Sequence, residues 1–260
     1  MNHRHRVVLI GAGNVAWHLA AALGRVADVV GVYGRNGERA SEVARRAGAK
    51  VFPALSKIPR DADFYIMAVA DDAIAAVAAQ MPPVAGVVAH TSGSVDAGAL
   101  VGVACRGYGS FYPLQTFTWG RDVDMSVIPF FIEGSDEHAF QRLKGLARMV
   151  SPSVYEANSD IRACLHLAAV VSSNFANALL GESAEILRRS GLPLDVLRPL
   201  MAETMAKAFD LGPAVAQTGP ARRGDMQVLE KQRHCLNEPM ATIYLKLSEL
   251  IVNQQEKCQK

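Results

Sequence analysis

Residues 7–23 read VVLIGAGNVAWHLAAAL, and no other stretch constrains the chain so tightly. Val7 to Ile10 is a short apolar run of the kind that forms a strand buried on both faces. Gly11, Gly13 and Ala16 follow at the spacing Gly-x-Gly-x-x-Ala, and an Ala-rich helical pattern runs on from Asn14. The first glycine permits a tight turn, the second leaves the backbone open to a pyrophosphate, and the small third residue lets helix and strand pack closely. The free N–H groups at the helix start, around Asn14 and Val15, offer partial positive charge to such an anion. The segment predicts a βαβ unit that binds a dinucleotide.

The same alternation continues to Gly134. RVVLIG, VVGVYG, DFYIMAV, GVVAHT and VIPFFIEG read as strands, with helices expected over 14–25, 37–48 and 71–80, the last capped by Asp71 or Asp72. This is the pattern of an α/β domain with a doubly wound, mostly parallel sheet. After Asp136 the strand signal fades. Helices are expected over SDEHAFQRLKGLARMV, from Ser159 to about Ser190 with Gly191 and Pro193 as stops, from Asp195 to Phe209, after Asp225, and from Glu238 with Pro239 in its first turn. The expected division is a dinucleotide-binding domain over 1–152 and an all-α domain over 153–260, meeting near SPSVY.

Half of the 260 residues are hydrophobic and the formal net charge is +2, so a large core forms without staples and no basic stripe invites a nucleic acid. Cys105, Cys164, Cys235 and Cys258 lie too far apart for a zinc motif or a disulfide framework, and no metal is expected. The N-terminal apolar run is too short for a signal peptide. The apolar stretches 68–79 and 165–180 contain polar residues and fall short of an uninterrupted membrane span. The cytoplasm is the expected location.

The second strand ends in VYGRNGER, with no carboxylate before Glu38 to bind a ribose 2′-hydroxyl. Arg35, with Asn36, suits a 2′-phosphate instead, because a guanidinium matches phosphate oxygens in a bidentate way. NADP(H) is therefore expected over NAD, the plainer reading of Arg35 being a solvated charge beside a turn. In a doubly wound sheet the ligand sits beyond the carboxyl ends of the strands. Those ends carry AVADD, HTSGS and GSFYPLQTF, which puts Ala70 and His90 beside the coenzyme and Ser92 and Ser94 near the reacting atoms. The same serines also suit a turn that caps the next helix.

The stretch LHLAAVVSSNF, residues 165–175, sets polar side chains within an apolar helix. On an unbroken α-helix His166, Ser173 and Asn177 fall within about 40° of one another, with Asn174 on the flank. Such a stripe lines a substrate cleft or meets partners across a helix contact. In TGPARRGD, residues 218–225, Arg222 or Arg223 would clamp an anionic group, or Asp225 would cap the following helix and pair with Arg223.

GAGNVA, VYGRN, HTSGS, His166-x-x-Ala169, Ser173-Asn174-Phe175 and TGPARRGD span nearly the whole chain. On these residues the N-terminal half resembles the NADP-binding domains of pyrroline-5-carboxylate reductases and deazaflavin (coenzyme F420)-dependent NADP reductases. The whole chain is similar to the Rossmann-like family with domain of unknown function 2520 at its C-terminus. The resemblance implies an NADP-linked oxidoreductase, a helical domain related to that of 6-phosphogluconate dehydrogenase, and a homodimer through those helices. The related β-hydroxyacid dehydrogenases carry a catalytic lysine four residues before an asparagine. Here Val170 stands four before Asn174, which argues against that reaction and leaves His166 as the nearest group to move a proton.

The expected function is hydride transfer between NADP(H) and a small C=O or C=N compound in a cleft between the domains. His166 acts as acid or base with Ser92 and Asn174 beside it, and Ser94, Ser173, Asn177 and Arg223 meet the substrate. The alternative is a non-catalytic NADP-binding sensor, and a flavin or S-adenosylmethionine in the same loop is the third reading.

Overall fold

A computed structural model describes residues 4–258, with side chains as far as residue 254. The chain divides into two compact units, Met1–Asn174 and Phe175–Lys260.

In the first unit, eight strands form one sheet in the order β3-β2-β1-β4-β5-β6-β7-β8. They are β1 (Arg6–Ile10), β2 (Asp28–Tyr33), β3 (Lys50–Val51), β4 (Phe64–Met67), β5 (Val87–His90), β6 (Gly107–Pro113), β7 (Phe130–Gly134) and β8 (Val154–Glu156). Only the β6–β7 pair is antiparallel. The order reverses at β1, so the crevice of a doubly wound sheet opens beyond the ends of β1 and β4. Alternation along β1 feeds two cores, Val7 and Leu9 into one and Val8 and Ile10 into the other, which explains the unbroken apolar run.

Helices α1 (Asn14–Val26) and α2 (Gly37–Ala47) stand where they were expected. The 71–80 segment is tighter and shorter, a 3₁₀ turn over Asp71–Ala73 leading into α3 (Ile74–Ala78). Neither Asp71 nor Asp72 caps it; the cap position is Ala70. Helix α4 (Glu137–Val150) is capped by Asp136, whose carboxylate accepts the Ala139 N–H at 2.7 Å. Strand signal does not end at Asp136: β8 pairs in parallel with β7 and carries the sheet to Glu156.

Helix α5 (Ser159–Ala169) starts at Asn158, whose side chain accepts the Ile161 N–H at 2.9 Å. A π turn over Val170–Asn174 follows, so the polar stripe does not lie on an unbroken α-helix. A π turn widens the spiral to roughly 80° per residue in place of 100°. Across it Asn174 turns onto the side of His166.

The second unit holds α6 (Phe175–Arg189), α7 (Arg198–Leu211), α8 (Pro213–Ala216), α9 (Pro220–Arg223), α10 (Met226–Arg233) and α11 (Met240–Cys258). Pro239 precedes α11 and is not in its first turn. No described residue of α6 or α7 is buried. The helical run Ser159–Arg189 is also long and apolar enough, by length and composition, to cross a membrane, and its apolar window is unburied. It meets the criterion that the sequence reading placed it short of.

Candidate active site

The turn after β1 leaves no choice of residue at its first position. Gly11 has φ +120°, and a Cβ there would lie 2.1 Å from the Ala68 carbonyl oxygen at the end of β4. Gly13 is the opposite case, with nothing within 4 Å of a Cβ position, so the space above the start of α1 is open. No side chain caps α1 at Gly13, and its first N–H groups remain available to an anion.

A groove of about 1090 Å³ runs from this turn across the ends of β2 and β4. It gathers Gly11, Gly13, Asn14, Val15, Arg35, Asn36 and Ala70, seven of the eight residues expected to meet the coenzyme, and adds Arg39. Asn14 is braced by a 2.9 Å bond from its Nδ2 to the Phe117 carbonyl. Asn36 caps α2 by accepting the Arg39 N–H at 3.0 Å. Arg39 lies over the Trp119 ring, 4.9 Å from its centroid, which leaves Arg35 as the guanidinium at the end of β2 without such a brace. An open cradle at Gly13 beside two guanidiniums fits a phosphorylated dinucleotide.

The eighth residue, His90, is not in the groove. Its side chain has no exposed surface, and its Nδ1 accepts the Ser92 N–H at 3.2 Å. Burial pushes this imidazole down to about 4, so it is neutral at physiological pH and supports the loop from below.

That loop, HTSGS, consumes most of its own polar groups. Ser92 Oγ accepts the N–H groups of Ser94 and Val95 at 3.1 and 3.0 Å, so its lone pairs serve the turn. Ser94 Oγ donates to Asp71 at 2.5 Å, beside Ala70 in the groove. Gly93 packs on the other side, where a Cβ would come within 2.7 Å of both Tyr112 and His166. One short loop therefore bonds through Ser94 to Asp71, the chain neighbour of the groove residue Ala70, and packs at Gly93 against Tyr112 and His166, which wall a second cavity.

This second cavity, about 520 Å³, is walled by Tyr112, Leu114, Gln115 and Thr116 from β6 and the chain after it, and by one side of the 165–174 segment, including His166, Ser173 and Asn174. His166 is half-buried, and its Nδ1 lies 3.1 Å from the Tyr112 hydroxyl. One turn earlier on α5, Arg162 has no exposed surface. Its guanidinium donates to the carbonyls of Ser92 (3.1 Å) and Val95 (2.6 Å), to Ser159 Oγ (3.1 Å) and to the Glu133 carboxylate on β7. Tyr112, Arg162 and Glu133 escaped the sequence reading: a strand tyrosine reads as core, and an arginine on a helix reads as surface.

Asn177 and Arg223 belong to the second unit, both exposed. Arg223 is engaged with Asp225 at 2.9 Å, and Arg222 with the Ala214 carbonyl at 2.9 Å. The Arg223–Asp225 pairing foreseen as the alternative is present, but the Asp225 side chain makes no cap bond to α10.

Residues 6–89 match the family model described as NADP oxidoreductase, coenzyme F420-dependent, and residues 128–251 match the domain of unknown function DUF2520. A solved Bacteroides fragilis structure, to which NADP oxidoreductase activity is ascribed, is 38% identical over 96% of this chain and 99% of its own, with a TM-score of 0.88. The chain belongs to the NADP oxidoreductases. Membership of the family brings its coenzyme, NADP(H), and its class of reaction, and sets the sensor reading aside. The oxidoreductase also shares its fold with an imine reductase from Pseudomonas sp. (17% identity, 95% of this chain and 93% of that one, TM-score 0.70). A reductive aminase from Aspergillus terreus in complex with NADPH and ethyl levulinate is similar in the same way (15% identity, 98% and 94%, TM-score 0.70). Among curated proteins none matches the oxidoreductase.

Proposed function

We propose that the protein reduces a small C=O or C=N compound, or oxidises the corresponding alcohol or amine, at the 520 Å³ cavity beside His166. The observation that carries this reading is the HTSGS loop, whose Ser94 bonds to Asp71 next to the groove residue Ala70 and whose Gly93 packs against His166. When bound, NADPH supplies a hydride and the protein supplies position and electrostatics. Gly11 and Gly13 admit the phosphates, the start of α1 neutralises them, and Arg35 with Arg39 holds the 2′-phosphate. His166 exchanges a proton with the substrate heteroatom, and Asn174, turned to the same side by the π turn, orients it. The imine reductase and reductive aminase of the same fold favour a C=N substrate class.

Calorimetry tests the coenzyme and NADPH absorbance tests the reaction. NADPH should bind at least tenfold more tightly than NADH, and Arg35→Ala should abolish that preference, a loss of about 1.5–3 kcal/mol for a charge-assisted bond. Equal affinity for the two coenzymes, or unchanged NADPH with every aldehyde, ketone and imine offered, overturns the reading.

The protein works as a homodimer built through its helices. Supporting this are exposed apolar side chains such as Leu167 (64%), Leu200 (60%) and Phe209 (90%), which water does not tolerate in number without cover. Sedimentation equilibrium without detergent should return twice the 27.9 kDa chain mass; a monomer, or material soluble only in detergent, contradicts it. Cys105, Cys164 and Cys235 are free thiols, in keeping with a reducing cytoplasm.

A further inference from the structure

Histidine has two ring nitrogens, and which one faces the substrate decides how a proton leaves it. At His166 the structure engages one of them. Tyr112 Oη lies 3.1 Å from Nδ1, with the rings 6.1 Å apart and inclined at 68°. Nε2 is the nitrogen left for chemistry.

The pair is held from three directions. Tyr112 comes from β6 and is only 8% exposed, with Phe131 across the strand pair at 6.4 Å. His166 comes from α5, whose start is tied down by Arg162. Gly93 closes the third side: a Cβ there would stand 2.7 Å from Tyr112 Cζ and 2.7 Å from His166 Nδ1, closer than carbon approaches either atom without displacement. Arg162 grips the carbonyls of Ser92 and Val95 on either side of that glycine, so the loop cannot drift from the helix without breaking those bonds. Burial pushes the Tyr112 phenol up and the Asp71 carboxylate adds to this, against the smaller effect of Arg162. The hydroxyl is therefore neutral across the physiological range, able to donate to a neutral imidazole and to accept from an imidazolium.

We propose that Tyr112 is a positioning residue that holds Nδ1 of His166 and thereby commits Nε2 to the substrate proton, Gly93 being the gap through which the two rings meet. This rests on the reading of His166 given above. In the reducing direction the substrate carbon gains the two electrons and the hydrogen of NADPH, which is oxidised to NADP⁺. The Nε2–H bond breaks, and its proton completes the new bond on the substrate oxygen or nitrogen. The step starts from the imidazolium, so the ring is left with Nδ1–H donated to Tyr112 Oη and solvent returns a proton to Nε2; when the ring rests neutral it is Nδ1 that has released its proton and accepts from Tyr112.

The test uses the full chain labelled with ¹⁵N-histidine, with and without NADPH. The His166 resonances are assigned as those missing from His166→Gln. In the coenzyme-free wild type at a pH where the ring is neutral, Nδ1 should read as a hydrogen-bonded acceptor. Tyr112→Phe should remove that signature, and Gly93→Ala should remove it with the tyrosine still present. Both variants should lower kcat about 10- to 100-fold while NADPH affinity stays within threefold, thermal melting confirming that each is folded. An Nδ1 signal unchanged in Tyr112→Phe overturns the inference. So does a kcat within threefold of wild type in Tyr112→Phe when His166→Gln is crippled. A wild type that consumes no NADPH on any carbonyl or imine, or a fully active His166→Gln, overturns instead the function on which the inference stands.

Discussion

His166→Gln should bind NADPH as the wild type does and turn over at least 100-fold more slowly. Glutamine keeps a polar end near Tyr112 and roughly fills the space of the ring, so the cavity should survive the change. What it cannot do is gain or lose a proton near neutral pH, and positioned acid–base help is usually worth about 10²–10⁴ in rate. Binding should be spared because the groove that holds the nucleotide is lined by the turn after β1 and the ends of β2 and β4, and His166 is not among its residues. The split between an intact Kd and a collapsed kcat marks an interaction made in the reaction and not in coenzyme binding. A second variant sharpens the result: His166→Gly leaves a hole, and added imidazole should restore part of the rate. Turnover within threefold of wild type in His166→Gln would remove this residue from the chemistry.

The nucleotide half was legible because its physics is local. A strand buried on both faces must be apolar throughout, as Val7 to Ile10 are, and a turn in which a Cβ would lie 2.1 Å from a carbonyl oxygen must begin with glycine. β8 was not legible, since three residues beside a Ser-Pro pair carry no period. The polar stripe assumes a constant pitch, and nothing in VVSSN announces the π turn that moves Asn174 toward His166. At HTSGS the residues suited both a turn and a ligand, and the Ser92 hydroxyl accepts the N–H groups of Ser94 and Val95 within the turn. Tyr112 and Arg162 were missed for a different reason. Each acts through contacts far along the chain, Tyr112 with a residue 54 positions away and Arg162 with residues 29, 67 and 70 positions away, which no window along the chain contains.

Arg162→Met should be the most destabilising of these substitutions. A guanidinium with no exposed surface persists only when its donors are matched, and here they meet two carbonyls, a hydroxyl and a carboxylate. Methionine fills much of the volume and leaves the stem's packing in place, but it strands the Ser92 and Val95 carbonyls and leaves the Glu133 carboxylate with the Ser159 hydroxyl and no cation. Breaking a buried pair from one side costs about 3–5 kcal/mol. For a chain of this size that is a fall in melting temperature on the order of 10 °C. Glu133 retains 22% of its side-chain exposure, so water recovers part of its solvation and the lower end of the range is the better expectation. The double variant Arg162→Met with Glu133→Gln should be more stable than the sum of the two single changes predicts, because the stranded charge is gone. Strict additivity would mean that Arg162 and Glu133 do not act as a pair. A melting point unchanged in Arg162→Met would mean that the loop around Gly93 is held by something other than this arginine, and with it the geometry that brings Tyr112 to His166.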